Sequence, residues 1–363
     1  MKTQIARLDK TWTDTALTRR LGIAFPIIQG PLGGFNTQRL TAEVSNFGGL
    51  GSFGAHGLAP TAIAEVIAEI RTLTAKPFAM NLWVSMEDAG AGSAGEAQFQ
   101  ASLRELLPHI AELGGSKPKY QPHASIRFEA QVRVLLDAKV PVFSFIVGIP
   151  PREILDECRS RGIVTIGTAT TPDEAIALEQ AGVDIVAASG FEAGGHRGSF
   201  LRPAAQSLIG TFSLVPQVAD AVGLPVVAAG GVADARGVLA AFALGADGVQ
   251  IGTAFLAAEE SGANKLHRAA LLNHQAGDTT LTKGLTGRLA RGIRNRLTET
   301  LDRPDAEILP YPLQRALVKN VTSLAEQSAR PELLQMWAGQ SANLTRHSNP
   351  VEFLSDLVHQ LSG

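Results

Sequence analysis

Eight short apolar runs, each ending in glycine or a small polar residue and each followed by a stretch of helical periodicity, constrain this chain more than any other feature. They cover residues 26–29, 49–52, 78–82, 142–145, 163–167, 185–188, 226–229 and 249–251. None alternates apolar with polar residues, so both faces of each strand should be buried, as in a parallel sheet sheathed by helices. Eight such units are what a closed barrel requires, and the expected class is α/β, a TIM (β/α)8 barrel. A weak internal echo agrees with this. Residues 175–190 and 238–252 both read as helix, a Gly/Ala/Asp turn, then strand, with glycine ending the helix and aspartate turning the chain.

The 363 residues exceed a minimal barrel in two places. Residues 86–139 hold a Gly/Ala/Ser-rich loop, an amphipathic stretch at 98–113, a polar loop and a further helix. Residues 263–343 read as helical and polar, with arginines throughout. The expected organisation is a barrel domain over 1–262, completed by a C-terminal helix within 345–363, and a mainly helical subdomain over 263–344 that caps the barrel. The i, i+3, i+4, i+7 apolar spacing of 351–361 fits a helix packed back onto the barrel.

Three glycine-dense turns follow strands. Ser189 to Gly198 carries Gly194, Gly195 and His196, and reads as a phosphate-facing loop bearing one base. On its own it could equally be a tight turn with a capping histidine. The other two follow the last two strands, where a βα barrel commonly binds phosphate: Ala228-Ala229-Gly230-Gly231-Val232 and Gln250-Ile251-Gly252-Thr253-Ala254. A fourth segment, Gly49-Leu50-Gly51-Ser52-Phe53-Gly54, matches the G-x-G-x-x-G dinucleotide fingerprint. It reads as a strand itself, opens no helix, and lacks an acidic residue at the end of a following strand, so a Rossmann assignment is rejected.

Composition excludes several classes. A formal charge of -2 without runs of one sign offers no basic stripe for nucleic acid. No run approaches the roughly 18 apolar residues that span a bilayer, and the N-terminus lacks a signal-peptide core. The lone Cys158 can form no internal disulfide and lies among acidic residues that raise a thiol pKa. These features predict a cytoplasmic protein with a small-molecule partner, without membrane or nucleic acid and without a metal. It is expected as a monomer or homodimer.

Ile28 to Gly34, Ala79 to Leu82, Gly190 to Gly198, Ala229-Gly230-Gly231 and Gln250 to Thr253 together resemble the nitronate monooxygenase family, formerly called 2-nitropropane dioxygenases, over about 25–339. The segment Glu192 to Gly198 is similar to the group called class I. The resemblance implies a TIM barrel with non-covalent FMN. It implies that Gly194, Gly195, Gly230, Gly231, Gly252 and Thr253 hold the phosphate, largely through backbone N–H groups. Pro31 and Leu32 would lie against the reactive edge of the ring. Asn81, Ser189 and Gln250 would bond to the ring or ribityl chain, with Ile251 in the same segment.

In that family an alkyl nitronate gives one electron to FMN, and oxygen completes conversion to a carbonyl compound and nitrite or nitrate. His196 takes the family's histidine position, as a base for neutral nitroalkanes or as a hydrogen-bond donor to nitronates. Tyr311 and Lys319 are plausible contacts for an anionic substrate such as propionate 3-nitronate. Two positions depart from the pattern. Some members carry a second histidine where Phe145-Ile146-Val147 stands, and a tyrosine where Arg315 stands. His123 and His267 are candidates to compensate, though they read as surface or packing residues. Competing readings are an FMN-dependent NAD(P)H:quinone or enoyl reductase on the same barrel, and a non-redox phosphate-binding isomerase or lyase.

Overall fold

The computed structural model describes residues 12–85, 88, 90–121, 126–273 and 278–362. Eleven strands occur among them: β1 (Ile27–Gln29), β2 (Gly51–Gly54), β3 (Phe78–Trp83), β4 (Val142–Ile146), β5 (Val164–Ala169), β6 (Ile185–Ser189), β7 (Gly195–His196), β8 (Val226–Ala229), β9 (Gly248–Ile251), β10 (Thr279–Thr282) and β11 (Ala290–Ile293). Eight of them form one parallel sheet in the order β1-β9-β8-β6-β5-β4-β3-β2. A bridge between Ile28 and Leu50 joins β1 to the approach of β2 and closes the cylinder. All eight apolar runs of the sequence are barrel strands, displaced by at most two residues at an end.

Two-residue periodicity sorts each strand's side chains. Ile28, Ala79, Val142, Ile166, Ile185 and Val227 form one cluster inside the barrel, closed at the bottom by Leu17 and Leu21 of the Ala16–Leu21 helix. Gly248 lets that plug seat, since a Cβ there would lie 2.3 Å from the Leu17 side chain. The alternate residues, such as Phe143, Phe145 and Val186, pack outward against the helical layer. The Pro350–Ser362 helix contributes Phe353, Leu354, Leu357 and Leu361 to that layer, and Trp12 donates to Ser362 Oγ at 3.2 Å.

A second core lies outside the barrel. Phe99, Leu103, Leu106 and Ile110 of the Glu96–Glu112 helix pack with Leu317, Val318 and Val321 of the Leu313–Gln327 helix and with Leu297, Leu333 and Trp337. The excursion after β3 and the C-terminal excursion, read separately in the sequence, therefore share one hydrophobic cluster. The mainly helical reading of 263–343 also missed a hairpin. β10 and β11 pair antiparallel, and β11 pairs on its other edge with β7, Ala290 opposite His196 and Arg291 opposite Gly195. The short β7 lies in the histidine loop, so the hairpin is bonded directly to it.

Candidate active site

The upper positions of the inward-facing rows line a cavity of about 530 Å3 at the carboxyl ends of the strands. β3 supplies Asn81 and Trp83, β4 Ser144 and Ile146, and β6 Ser189. Register places Asn81 beside Ser144, and Asn81 Nδ2 donates to Ser144 Oγ at 3.0 Å. Asn81 Oδ1 is left to accept from a ligand. Burial of a polar row here, above an apolar row on the same strands, marks the mouth as the functional end.

Backbone geometry makes one wall a cradle. Gly230 and Gly231 have φ of 98° and 78°, and a Cβ on Gly230 would lie 3.0 Å from Ala193 N and from Gly190 O. A Cβ on Gly194 would lie 2.7 Å from the backbone of Ala338 and Gly339. The amides of Gly194, Gly231 and Gly252 donate to no backbone or side-chain group among the described residues. Unpaired N–H groups concentrated in a concave site attract an anion of phosphate size. Pro31, Gly195, Gln250 and Thr253 line the same cavity, as does Leu32, which holds the left-handed region at φ 44°.

The histidine loop is fixed by charged side chains, of which Arg197, Arg291 and Glu174 are buried and Glu192 half-buried. Arg197, 3% exposed, donates to Gly190 O at 2.6 Å and to Ser189 O at 2.8 Å. Arg291 donates to Phe191 O at 3.0 Å and lies over the Phe191 ring. Glu192 accepts from Thr211 N at 2.9 Å, and Glu174 accepts from Phe200 N at 2.6 Å. These ties satisfy carbonyls and amides that an irregular buried segment would otherwise leave unpaired.

His196 projects from β7 into the cavity. Its ring meets Trp83 edge-on at 4.9 Å, Trp337 at 5.2 Å and Tyr311 at 6.2 Å between centroids. Nε2 lies 2.8 Å from Thr286 Oγ1. That hydroxyl is also 3.2 Å from the Arg288 carbonyl, which can only accept, so the Thr286 proton has a partner there. Nε2–H can then donate to Oγ1, and Nδ1 carries the lone pair. Desolvation pushes the His196 pKa well below its ordinary 6.5, and its neighbours His56, Arg315 and Arg288 act in the same direction. The imidazole is therefore neutral near pH 7, suited to accepting a proton or donating one hydrogen bond.

Thirteen residues expected at the site converge on this cavity: Pro31, Leu32, Asn81, Ser189, Gly194, Gly195, His196, Gly230, Gly231, Gln250, Gly252, Thr253 and, at the rim, exposed Lys319. Two do not line it. Ile251 is fully buried because it alternates with inward-facing Gln250, and only its carbonyl approaches the site, accepting from Gly30 N at 2.7 Å. Tyr311 is 2% exposed, packed on Trp83 with the Arg288 guanidinium 4.5 Å above its ring. It forms backing rather than surface. His267 is buried with Nε2 2.9 Å from Trp337 O, and His123 lies outside the described residues. Burial pushes the Cys158 thiol up to about 12, which keeps it protonated.

Sequence reasoning missed His56, Trp83 and Trp337. His56 is 5% exposed, lines the cavity and stacks on Trp83 at 4.2 Å with 10° between planes. It follows β2, so an imidazole enters from the second strand, while Ile146 occupies the mouth on the fourth. The available signal was position: a histidine two residues beyond a barrel strand's carboxyl end.

A sequence profile described as nitronate monooxygenase matches residues 14–362. The chain is 42% identical over 352 residues to a protein of Staphylococcus haemolyticus named "Probable nitronate monooxygenase", covering 96% of this chain and 98% of that one. A protein of the same name from Staphylococcus aureus (strain Newman) is 40% identical, with 97% and 98% covered. Among solved structures, nitroalkane oxidase from Streptomyces ansochromogenes superposes with a TM-score of 0.85 at 34% identity, covering 96% of this chain and 98% of that chain. FabK from Thermotoga maritima superposes at 0.74 with 30% identity and 96% of each chain covered.

Proposed function

The chain belongs to the nitronate monooxygenase family of oxidoreductases, and from that premise we propose that it binds FMN and oxidises alkyl nitronates, propionate 3-nitronate foremost, with dioxygen to a carbonyl compound and nitrite or nitrate. The observation that carries this reading is the meeting, in one cavity, of a glycine-amide cradle and a neutral histidine. FMN would supply the electron-accepting chemistry and the route to dioxygen. Everything else falls to this chain.

Gly194, Gly195, Gly230, Gly231, Gly252 and Thr253 would hold the phosphate through backbone N–H groups, a fit that the crowded Cβ positions at Gly194 and Gly230 support. Asn81 Oδ1, Ser189 and Gln250 offer polar contacts to the ring or ribityl chain, and Pro31 and Leu32 offer an apolar edge. Trp83 and Trp337 wall the space around His196 and would limit water there once substrate and FMN fill the cavity. Toward a neutral nitroalkane, His196 Nδ1 would take the α-proton; toward a nitronate, the other tautomer would serve, with Thr286 Oγ1–H donating to Nε2 and Nδ1–H donating to a nitro oxygen. Lys319 at the rim would meet a substrate anion. The second core, with the hairpin bonded to β7, would serve as the cap over the barrel. No helix among the described residues is long and apolar enough to cross a membrane.

The test is spectroscopic and kinetic. The purified protein should carry one FMN per chain and consume oxygen with propionate 3-nitronate faster than with ethyl or propyl nitronate. Anaerobic NADH or NADPH should leave the flavin absorbance unchanged. Colourless protein, or rapid bleaching by NAD(P)H with no nitronate oxidation, overturns the reading and favours the non-redox barrel or the reductase respectively.

A further inference from the structure

Arg315 is half-buried on the cavity wall and has no ion pair or hydrogen bond among the described residues. The other arginines near the cavity are spent. Arg288 donates to Asp88 at 2.7 Å and Ser85 O at 2.9 Å, while Arg197 and Arg291 donate to loop carbonyls. Glu326 also lines the cavity, but it lies eleven residues further along the same helix, an axial separation of about 16 Å. Lys319, one turn from Arg315, adds positive charge. A half-buried guanidinium without a counter-ion is costly unless a ligand supplies one.

His56 stands beside it. Both side chains lie along the Gly33–Gly34 turn: a Cβ on Gly33 would be 2.3 Å from His56 Cε1, and one on Gly34 3.7 Å from an Arg315 terminal nitrogen. Arg315 also lies 3.7 Å from the corresponding point on Gly57, next to His56. The His56 Nδ1 is buried and has no hydrogen-bond partner. The guanidinium thus faces the cavity unsatisfied, and the His56 ring beside it lines the same wall with Nδ1 turned against Gly33. The Trp83 ring separates this pair from His196, stacked on His56 at 4.2 Å and edge-on to His196 at 4.9 Å. A short carbon chain spans one aromatic ring.

We propose that Arg315 and His56 form a carboxylate subsite that selects substrates bearing a second anionic group at the end remote from His196. The planar guanidinium receives the two carboxylate oxygens as a fork, and His56 Nε2–H, on the side of the ring away from Gly33, donates a third hydrogen bond. This rests on the nitronate reading for the reacting end only. Recognition of the remote carboxylate stands on Arg315 and His56 themselves.

Calorimetric titration of the protein as purified, with succinate and with butyrate, tests the subsite without turnover. Succinate should bind at least tenfold more tightly than butyrate. Arg315→Met should erase that preference, Arg315→Lys should restore part of it, and His56→Gln should reduce it severalfold. Equal affinities in the unaltered protein, or a preference that survives Arg315→Met, overturn the subsite.

Steady-state kinetics separate this from the broader reading. Arg315→Met should lower kcat/KM for propionate 3-nitronate at least tenfold relative to propyl nitronate, mainly through KM, with the propyl rate reporting that the variant is folded. An unchanged ratio overturns the subsite while the monooxygenase reading survives. Succinate selectivity without nitronate oxidation leaves the subsite standing and overturns the monooxygenase reading.

Discussion

His196 is neutral because of its surroundings, and this determines what it can do. No carboxylate is among the groups acting on it; desolvation and neighbouring positive charge hold its pKa well below 6.5. His196→Asn should abolish turnover of neutral nitroalkanes, which need a base, and only weaken turnover of preformed nitronates. Equal losses on both substrates in an oxygen-uptake assay would remove its assignment as base. The acid limb of kcat/KM for a nitroalkane should fall below pH 6.5, since the imidazole must be neutral to act and stays neutral down to its lowered pKa. His196 was legible in the sequence because glycines announce its loop. His56 was not: Ala-His-Gly after a strand resembles any turn, and only the stacking on Trp83 and the cavity wall mark it out.

The barrel strands were legible at the scale of elements because each is buried on both faces, which leaves an uninterrupted apolar run. The hairpin was not. Thr279–Thr282 is only half-buried, Ala290–Ile293 contains arginine and glycine, and their pairing partner β7 is two residues long. Its stability comes from long-range pairing that local sequence does not encode.

Glycines in the cradle can be separated from glycines that merely end helices. Gly230→Ala adds a Cβ 3.0 Å from Ala193 N and Gly190 O at φ 98°, and should cost about 2 kcal/mol of stability with at least tenfold weaker FMN retention. Gly22→Ala, at φ 67° with open space around it, should cost about 1 kcal/mol and leave FMN titration unchanged. Equal effects of the two on flavin binding would contradict a cradle at Gly230.

At the scale of the molecule, buried histidines make stability sensitive to acid, His56 and His267 adding to the effect of His196. Burial lowers His56 to about 3 and His267 to about 4. In the unfolded chain both titrate near 6.5. Between those values the unfolded chain binds protons that the folded chain refuses, so stability is full above pH 6.5 and declines as pH falls. Melting temperature should drop from pH 6.5 to 4.5, above the carboxylate range, and His56→Gln/His267→Gln should lessen the decline. A flat profile in the unaltered protein would contradict neutral burial of the pair. The sequence revealed the two excursions but not their union, because the contact of the Glu96–Glu112 and Leu313–Gln327 helices joins residues some two hundred positions apart.

The pairing of β7 with β11 ties the His196 loop to the hairpin. His196 has a fixed bearing only while the hairpin edge is bonded to its strand and Thr286 holds Nε2. On the proposed reading the arrangement would be an interlock, because the contacts that orient the imidazole are also those that join the hairpin to its loop. Were the hairpin edge to part from β7, the imidazole would lose its alignment at the moment the site opened to water.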